Sequence, residues 1–256
     1  MNAAVFEGHR PSEVLAHQDV GSIQRLARIT GLLYLILAAL GMFAPIVLET
    51  LVVPGDATAT ADRLVGSQWL FAGSLVAWIA IVIVDVALAV AFYLLLAPVS
   101  RVHSLVTAAF RLVYSAMLGA FLVNLLDAYL LLTNSTSAAG HDSQVLDSQA
   151  LSALDTFDTG FLLALIFFGI HLVALGLLLY RSRYVPRALG ALLAAGGVGY
   201  IVDSLASLLV EGYSGLATAI LLAPAVVGEL GIAVWLLVKG VSVRRPSAAE
   251  LSPILG

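Results

Sequence analysis

The sequence predicts an all-α integral membrane protein, a polytopic bundle of six transmembrane helices with both ends in the cytoplasm. Three observations predict it. Of 256 residues, 61% are hydrophobic and 11% charged, with a mean hydropathy of +1.04. A soluble domain carries about 25% charged residues, so this supply cannot cover a water-facing surface. The apolar residues fall into six long blocks, as membrane spans require. Basic and acidic residues alternate from one connection to the next, which fixes both the count and the orientation.

The elements follow in order. Residues 1–24 carry Glu7, Arg10, Glu13 and Asp19 and no apolar stretch of signal-peptide type. They read as a mobile cytoplasmic tail, leaving the first span to direct insertion. A span needs about 20 apolar residues at about 1.5 Å each. Ile29–Leu48, Trp69–Leu96, Ser104–Leu132, Gly160–Tyr180, Ala188–Val210 and Leu216–Val238 qualify, within a transmembrane domain of residues 25–240. Residues 241–256 form a second cytoplasmic tail. Arg25 and Arg28 precede the first span, Arg101 joins the second to the third, Arg181, Arg183 and Arg187 join the fourth to the fifth, and Lys239, Arg244 and Arg245 follow the sixth. The other connections hold acids, with Arg63 the one base among them. An error of one span would scramble this alternation.

Two outer connections have content. After the turn pair Pro54-Gly55, Asp56 is placed to cap a short helix leading to Trp69. Val145, Leu146, Ala150, Leu154 and Phe157 recur near helical spacing, as in a short amphipathic helix lying on the outer interface; a solvated connector is the alternative. Asn134-Ser135-Thr136 matches a glycosylation acceptor and, as a chance match in one sequence, carries no weight.

Several blocks resemble a known family. They are Val52-Val53-Pro54-Gly55-Asp56-Ala57-Thr58, Phe110-Arg111-Leu112-Val113-Tyr114, Tyr180-Arg181-Ser182-Arg183-Tyr184-Val185-Pro186-Arg187, Gly199-Tyr200-Ile201-Val202-Asp203, Gly228-Glu229-Leu230 and Trp235-Leu236-Leu237-Val238-Lys239-Gly240. In this order they resemble the bacterial membrane-protein family catalogued as domain of unknown function four-three-eight-six, from roughly the first helix to the last. The resemblance implies one integral domain in a bacterial cytoplasmic membrane. It transfers no activity and no catalytic residue.

Ionisable groups inside a span cost about 2.5–3.5 kcal/mol each on insertion scales. Here they are Asp85, Arg111, Asp127, Asp203 and Glu229, joined by His171. Counted from the outer helix ends, Asp85, His171 and Glu229 share a middle layer at roughly 18–24 Å, while Asp127 and Asp203 lie at roughly 9–11 Å. Folding the second and third spans back at Pro98–His103 leaves Asp85 about 7–8 Å along the axis from Arg111, a gap an extended arginine covers. The pair is either functional or a structural link between two helices. Four acids share one internal arginine. A submerged carboxylate without a basic partner becomes neutral, holds a cation or faces water. For Asp127, beside Tyr129 near the interface, wetting is enough. Glu229 lies mid-span, five residues after Pro224, and a helix proline frees backbone carbonyls; Gly228 and Gly231 beside it also suit close packing.

In the fifth span Tyr200, Asp203, Ser204 and Ser207 form one polar stripe at helical spacing, and Ala191, Ala195 and Gly199 repeat every four residues, as tight helix packing favours. Ser and Asp together would suit a nucleophile and base, yet intramembrane serines usually bond their own helix carbonyls. A lone His171 lacks the companions of a metal site, although its depth matches Glu229 and Asp85. Gly196-Gly197-Val198-Gly199 lies inside a span without the strand a dinucleotide fold needs. Ile83-Val84-Asp85 and Ile201-Val202-Asp203 recur in the middle spans of two three-helix halves, as in inverted repeats, but three common residues are thin support.

The candidate cavity or ligand residues are therefore Asp85, Arg111, Tyr114, His171, Tyr200, Asp203 and Glu229. No cofactor or metal is implied, and Cys is absent, which removes thiolate chemistry. A net charge of −4 without a basic stripe excludes nucleic acid. The bilayer is the partner. Three functions fit: binding or transport of a small molecule or lipid through a polar cavity lined by acids; an intramembrane acid–base enzyme acting on a lipid or isoprenoid, with aromatic walls such as Phe167, Phe168 or Tyr200; and a non-catalytic accessory subunit. The first is preferred, without a catalytic step.

Overall fold

The computed structural model describes residues 11–133, 142–213 and 215–242, and the acceptor-like Asn134-Ser135-Thr136 lies outside them. Seven helices occur there, α1 (Pro11–Leu51), α2 (Ala57–Gly66), α3 (Gln68–Leu96), α4 (Arg101–Thr133), α5 (Ser143–Ser182), α6 (Arg187–Leu209) and α7 (Gly215–Val238). All but α2 are long and apolar enough to cross a membrane. These are the six spans expected from sequence. Helices are the form such segments take, because hydrocarbon offers backbone N–H and C=O groups no partner outside the segment itself.

Each span packs against its neighbours in the chain, and α7 returns to α1, so α1, α3, α4, α5, α6 and α7 form a closed ring. The ring is tightest between α5 and α6. Gly169 faces Gly197, and Gly176 faces Gly190. A Cβ added to Gly169 would stand 2.6 Å from the Gly197 carbonyl oxygen, and one added to Gly197 would stand 2.6 Å from that of Gly169. Gly176 and Gly190 confront each other in the same way. On its other side α6 meets α7 where Gly196 lies against the Ala225 backbone and Gly199 against Leu221. The sequence placed this packing on Ala191, Ala195 and Gly199, but Ala191 and Ala195 are exposed. Glycines, with no Cβ, allow the closer approach, so they and not the alanines occupy the contacts.

Helix α1 begins at Pro11, ahead of the expected start of the bundle at Arg25, and runs unbroken into the first span. Gln24 and Val241, each expected in a tail, are paired. The Gln24 Nε2–H donates to the Val241 carbonyl (2.6 Å), and the Val241 N–H donates to Gln24 Oε1 (3.1 Å). The Ser242 N–H reaches the Tyr184 carbonyl (3.3 Å). The turn of α1 at Gln24, the described C-terminal end and the α5–α6 turn thus meet at the basic end of the bundle.

At the acidic end, Gly55 takes φ +75°, the left-handed conformation its turn needs. Asp56 caps α2 as expected, its carboxylate accepting the Ala59 N–H at 2.9 Å. The amphipathic segment after residue 142 departs from expectation. It forms no separate interfacial helix and instead makes the first part of α5. Forty residues at about 1.5 Å span twice the ~30 Å hydrocarbon layer. Its apolar stripe, Leu146, Ala150, Leu154 and Phe157, is buried, and α2 packs across this extension. Protein, not lipid, covers that face.

Candidate functional site

The centre of the ring is polar. Arg111 on α4 is completely buried, and its Nη2–H donates to Asp85 Oδ1 on α3 at 2.5 Å. Its Nη1–H meets His171 Nε2 on α5 at 2.9 Å, while His171 Nδ1 lies 2.8 Å from the Thr107 carbonyl. A guanidinium only donates and a carbonyl only accepts. The imidazole between them is therefore neutral, with its proton on Nδ1. The guanidinium carbon lies 5.6 Å from the Tyr34 ring centre and 5.5 Å from that of Phe168, within cation–π range of both. Three helices are joined through one arginine.

Beside this knot lies a cavity of about 360 Å³. Asp85, Trp78 and Ile81 from α3, Tyr114 from α4, Phe161, Leu165 and Phe168 from α5 and Tyr200 from α6 line it. Its remaining wall comes from Tyr34 through Pro45 on α1 and Leu222 through Leu230 on α7. Tyr114, Phe168 and Tyr200 form a chain of ring contacts, with centroids 4.8 and 5.3 Å apart. Trp78 packs on Phe161 edge to face at 5.0 Å. Glu229 is half-buried in this wall, and its Oε2 accepts the Tyr34 hydroxyl at 3.0 Å.

The cavity opens sideways between α1 and α7. At Gly31 the two backbones touch, since a Cβ there would stand 2.6 Å from the Ala233 carbonyl oxygen; at Gly41 nothing lies within 4 Å. The lining residues Met42 and Val226 are 60% and 52% exposed at this mouth. Pro45 and Pro224 lie within the two helices that frame it. Pro45 has no N–H to offer the Gly41 carbonyl, which leaves an extra acceptor beside the opening.

Of the sequence candidates, Asp85, Tyr114, Tyr200 and Glu229 line this one cavity, and Arg111 and His171 lie directly behind Asp85. Asp203 does not join them. It is buried elsewhere on α6, its Oδ1 accepting the Tyr213 hydroxyl at 2.7 Å. The expected stripe on that helix divides, because Ser204 is buried with an Oγ that has no partner among the described residues and Ser207 is exposed. Neither Asp203 nor any other described group bonds the Ser204 hydroxyl, so among the described residues a serine nucleophile with a base is not assembled there. The matching triplets around Asp85 and Asp203 hold unlike environments. Asp127 is exposed, and Phe167 does not line the cavity. Among the described residues no three His, Cys, Asp or Glu side chains converge on a possible metal position; both nitrogens of His171 are already engaged.

Two cavity residues with a polar side-chain hydrogen, Tyr34 and Trp78, escaped the sequence reading. Tyr34 lies fourteen residues from the acidic-side end of its expected span, roughly 21 Å deep, the same layer as Glu229, so its hydroxyl was within reach of the same depth count. Trp78, whose buried Nε1–H has no partner among the described residues, gives no comparable signal in an apolar helix.

The pattern defining the family described as Domain of unknown function (DUF4386) matches residues 29–240. The chain belongs to the DUF4386 family. That match runs through all six spans. An uncharacterized protein of Archaeoglobus fulgidus is 36% identical over 170 residues, covering 65% of this chain and 83% of that protein. No solved structure matches.

Proposed function

We propose that this DUF4386 protein binds a small lipophilic molecule, taken from the bilayer through the gap between α1 and α7, and carries it to or across the membrane. The observation that supports this reading is the polar set inside an apolar cavity with a lateral mouth. Ligand sites of roughly 300–1,000 Å³ typically combine apolar walls with a few placed polar groups, and at about 360 Å³ this cavity lies in that range. Asp85 is compensated by Arg111, whereas Glu229 has a tyrosine hydroxyl and, among the described residues, no cation bonded to it. Glu229 is thus the group suited to exchange a proton with ligand occupancy. The basic end of the bundle faces the cytoplasm in this proposal, in a bacterial cytoplasmic membrane.

An intramembrane acid–base enzyme is the second reading, because Asp85 and Glu229 line one aromatic-walled pocket. It is less well supported, since the arginine holding Asp85 leaves Glu229 as the one carboxyl available to carry a proton. A purely structural accessory subunit has no use for a lateral opening.

The test is Glu229→Gln in liposomes, with N-phenyl-1-naphthylamine fluorescence read against protein-free vesicles across pH 5–9. The wild-type protein is expected to show saturable, pH-dependent binding, and the variant binding that no longer varies with pH. A variant with the wild-type pH profile removes Glu229 from the proposal.

A further inference from the structure

We infer that the cavity selects an organic cation, an ammonium group bearing apolar substituents, seated between Glu229 and Asp85 and enclosed by aromatic side chains. This rests on the reading of the cavity as a ligand site and adds the chemical class of the ligand.

The charge inventory comes first. Apart from tyrosine hydroxyls, the ionisable side chains lining the cavity are two carboxyls, Asp85 and Glu229. Asp85 gives one oxygen to Arg111, and its Oδ2 is buried with no partner among the described residues. The nearest base, Arg111, bonds His171 and Asp85 through Nη1 and Nη2, has a buried Nε–H without a partner among the described residues, and does not line the cavity. A bound anion would meet two carboxyls and no basic side chain in the lining. A neutral hydrocarbon would leave Asp85 Oδ2 unpaired. A cation answers both groups.

The walls give the second, independent argument. Six aromatic side chains, from Tyr34, Trp78, Tyr114, Phe161, Phe168 and Tyr200, line this volume. Ring quadrupoles attract a weakly hydrated ammonium, and aromatic enclosures are the recurring means of holding quaternary nitrogen. A bare calcium or magnesium ion instead needs about six oxygen ligands, and aromatic and aliphatic walls do not supply them. The exposed, apolar mouth at Met42 and Val226 admits an amphipathic cation from the side while its hydrocarbon portion stays in lipid.

The experiment compares benzyltrimethylammonium with neopentylbenzene, which has the same shape with carbon in place of the charged nitrogen. Equilibrium dialysis of labelled probe against nanodiscs with and without the full chain gives specific binding. The cation is expected to bind at least about tenfold more tightly than its neutral twin. Glu229→Gln, which imitates the protonated carboxyl, is expected to weaken the cation about tenfold or more without weakening the neutral probe. Should that variant melt at lower temperature than the wild type, Tyr200→Leu and Tyr200→Phe supply the second readout, with leucine weakening the cation more than phenylalanine does. Equal or preferential binding of the neutral probe overturns the cation assignment while leaving the cavity as a ligand site. Binding of neither, by protein that melts cooperatively, overturns both.

Discussion

At the scale of single residues, the fold depends on one arginine. Arg111 is fully buried, and removing its charge leaves Asp85 in an apolar setting without a basic partner, beside a histidine without its donor. Breaking a buried pair from one side costs about 3–5 kcal/mol, more than the pair contributes against apolar replacements. Arg111→Met is therefore expected to lower thermal stability sharply in detergent. Asp85→Asn combined with Arg111→Met is expected to recover part of that loss, and strictly additive losses in this cycle would refute the coupling. The Asp85–Arg111 contact was legible in the sequence because a tight hairpin sets the register of two straight helices, and rise per residue does the rest. The absence of Asp203 from the cavity was not legible. Depth along a helix axis is a one-dimensional count, whereas the facing of Asp203 depends on how α6 is rotated by its contacts. The Tyr213 hydroxyl that bonds it comes from a connection with no periodic signal at all.

Among the elements, α5 and α6 behave as one unit. Their glycine pairs place backbone against backbone at two levels, seven residues apart in each helix. A methyl group at Gly176 would meet the Ala194 nitrogen at 2.5 Å and the Gly190 carbonyl oxygen at 2.6 Å. Gly176→Ala is thus expected to force the helices apart and cost about 1–3 kcal/mol, as overpacking does. Gly41→Ala, with nothing within 4 Å, serves as the control, and a chemical-denaturation comparison of the two variants decides the point. The sequence showed small residues throughout α6 but not which of them touch. Ala191 and Gly190 are adjacent in sequence yet turned about 100° apart around the helix, and neighbouring spans choose between them. The extension of α5 was misread for a related reason. An amphipathic stripe records that one side is covered, and α2 covers it as effectively as a lipid surface would.

Across the whole molecule, a ring built from consecutive helices has one seam that chain connectivity does not hold, between α1 and α7. The cavity opens at that seam. The chain has no cysteine, so cysteines placed at Ala38 and Val226 can be bridged by a bifunctional maleimide on an otherwise unreactive background. Bridging is expected to abolish uptake of the naphthylamine probe, and reduction of a cleavable bridge to restore it. Uptake unaffected by the bridge would move the entrance elsewhere. The same seam bears on how the protein is made. Synthesis delivers α1 first and α7 last, so Tyr34 enters the membrane well before Glu229 exists to receive its hydroxyl, and Gln24 waits on Val241 at the very end of the described chain. Until the final helix is released, the arginine knot has no outer wall. Among the contacts between described spans, the gateway is then completed after the others, and no connecting segment ties its two sides together.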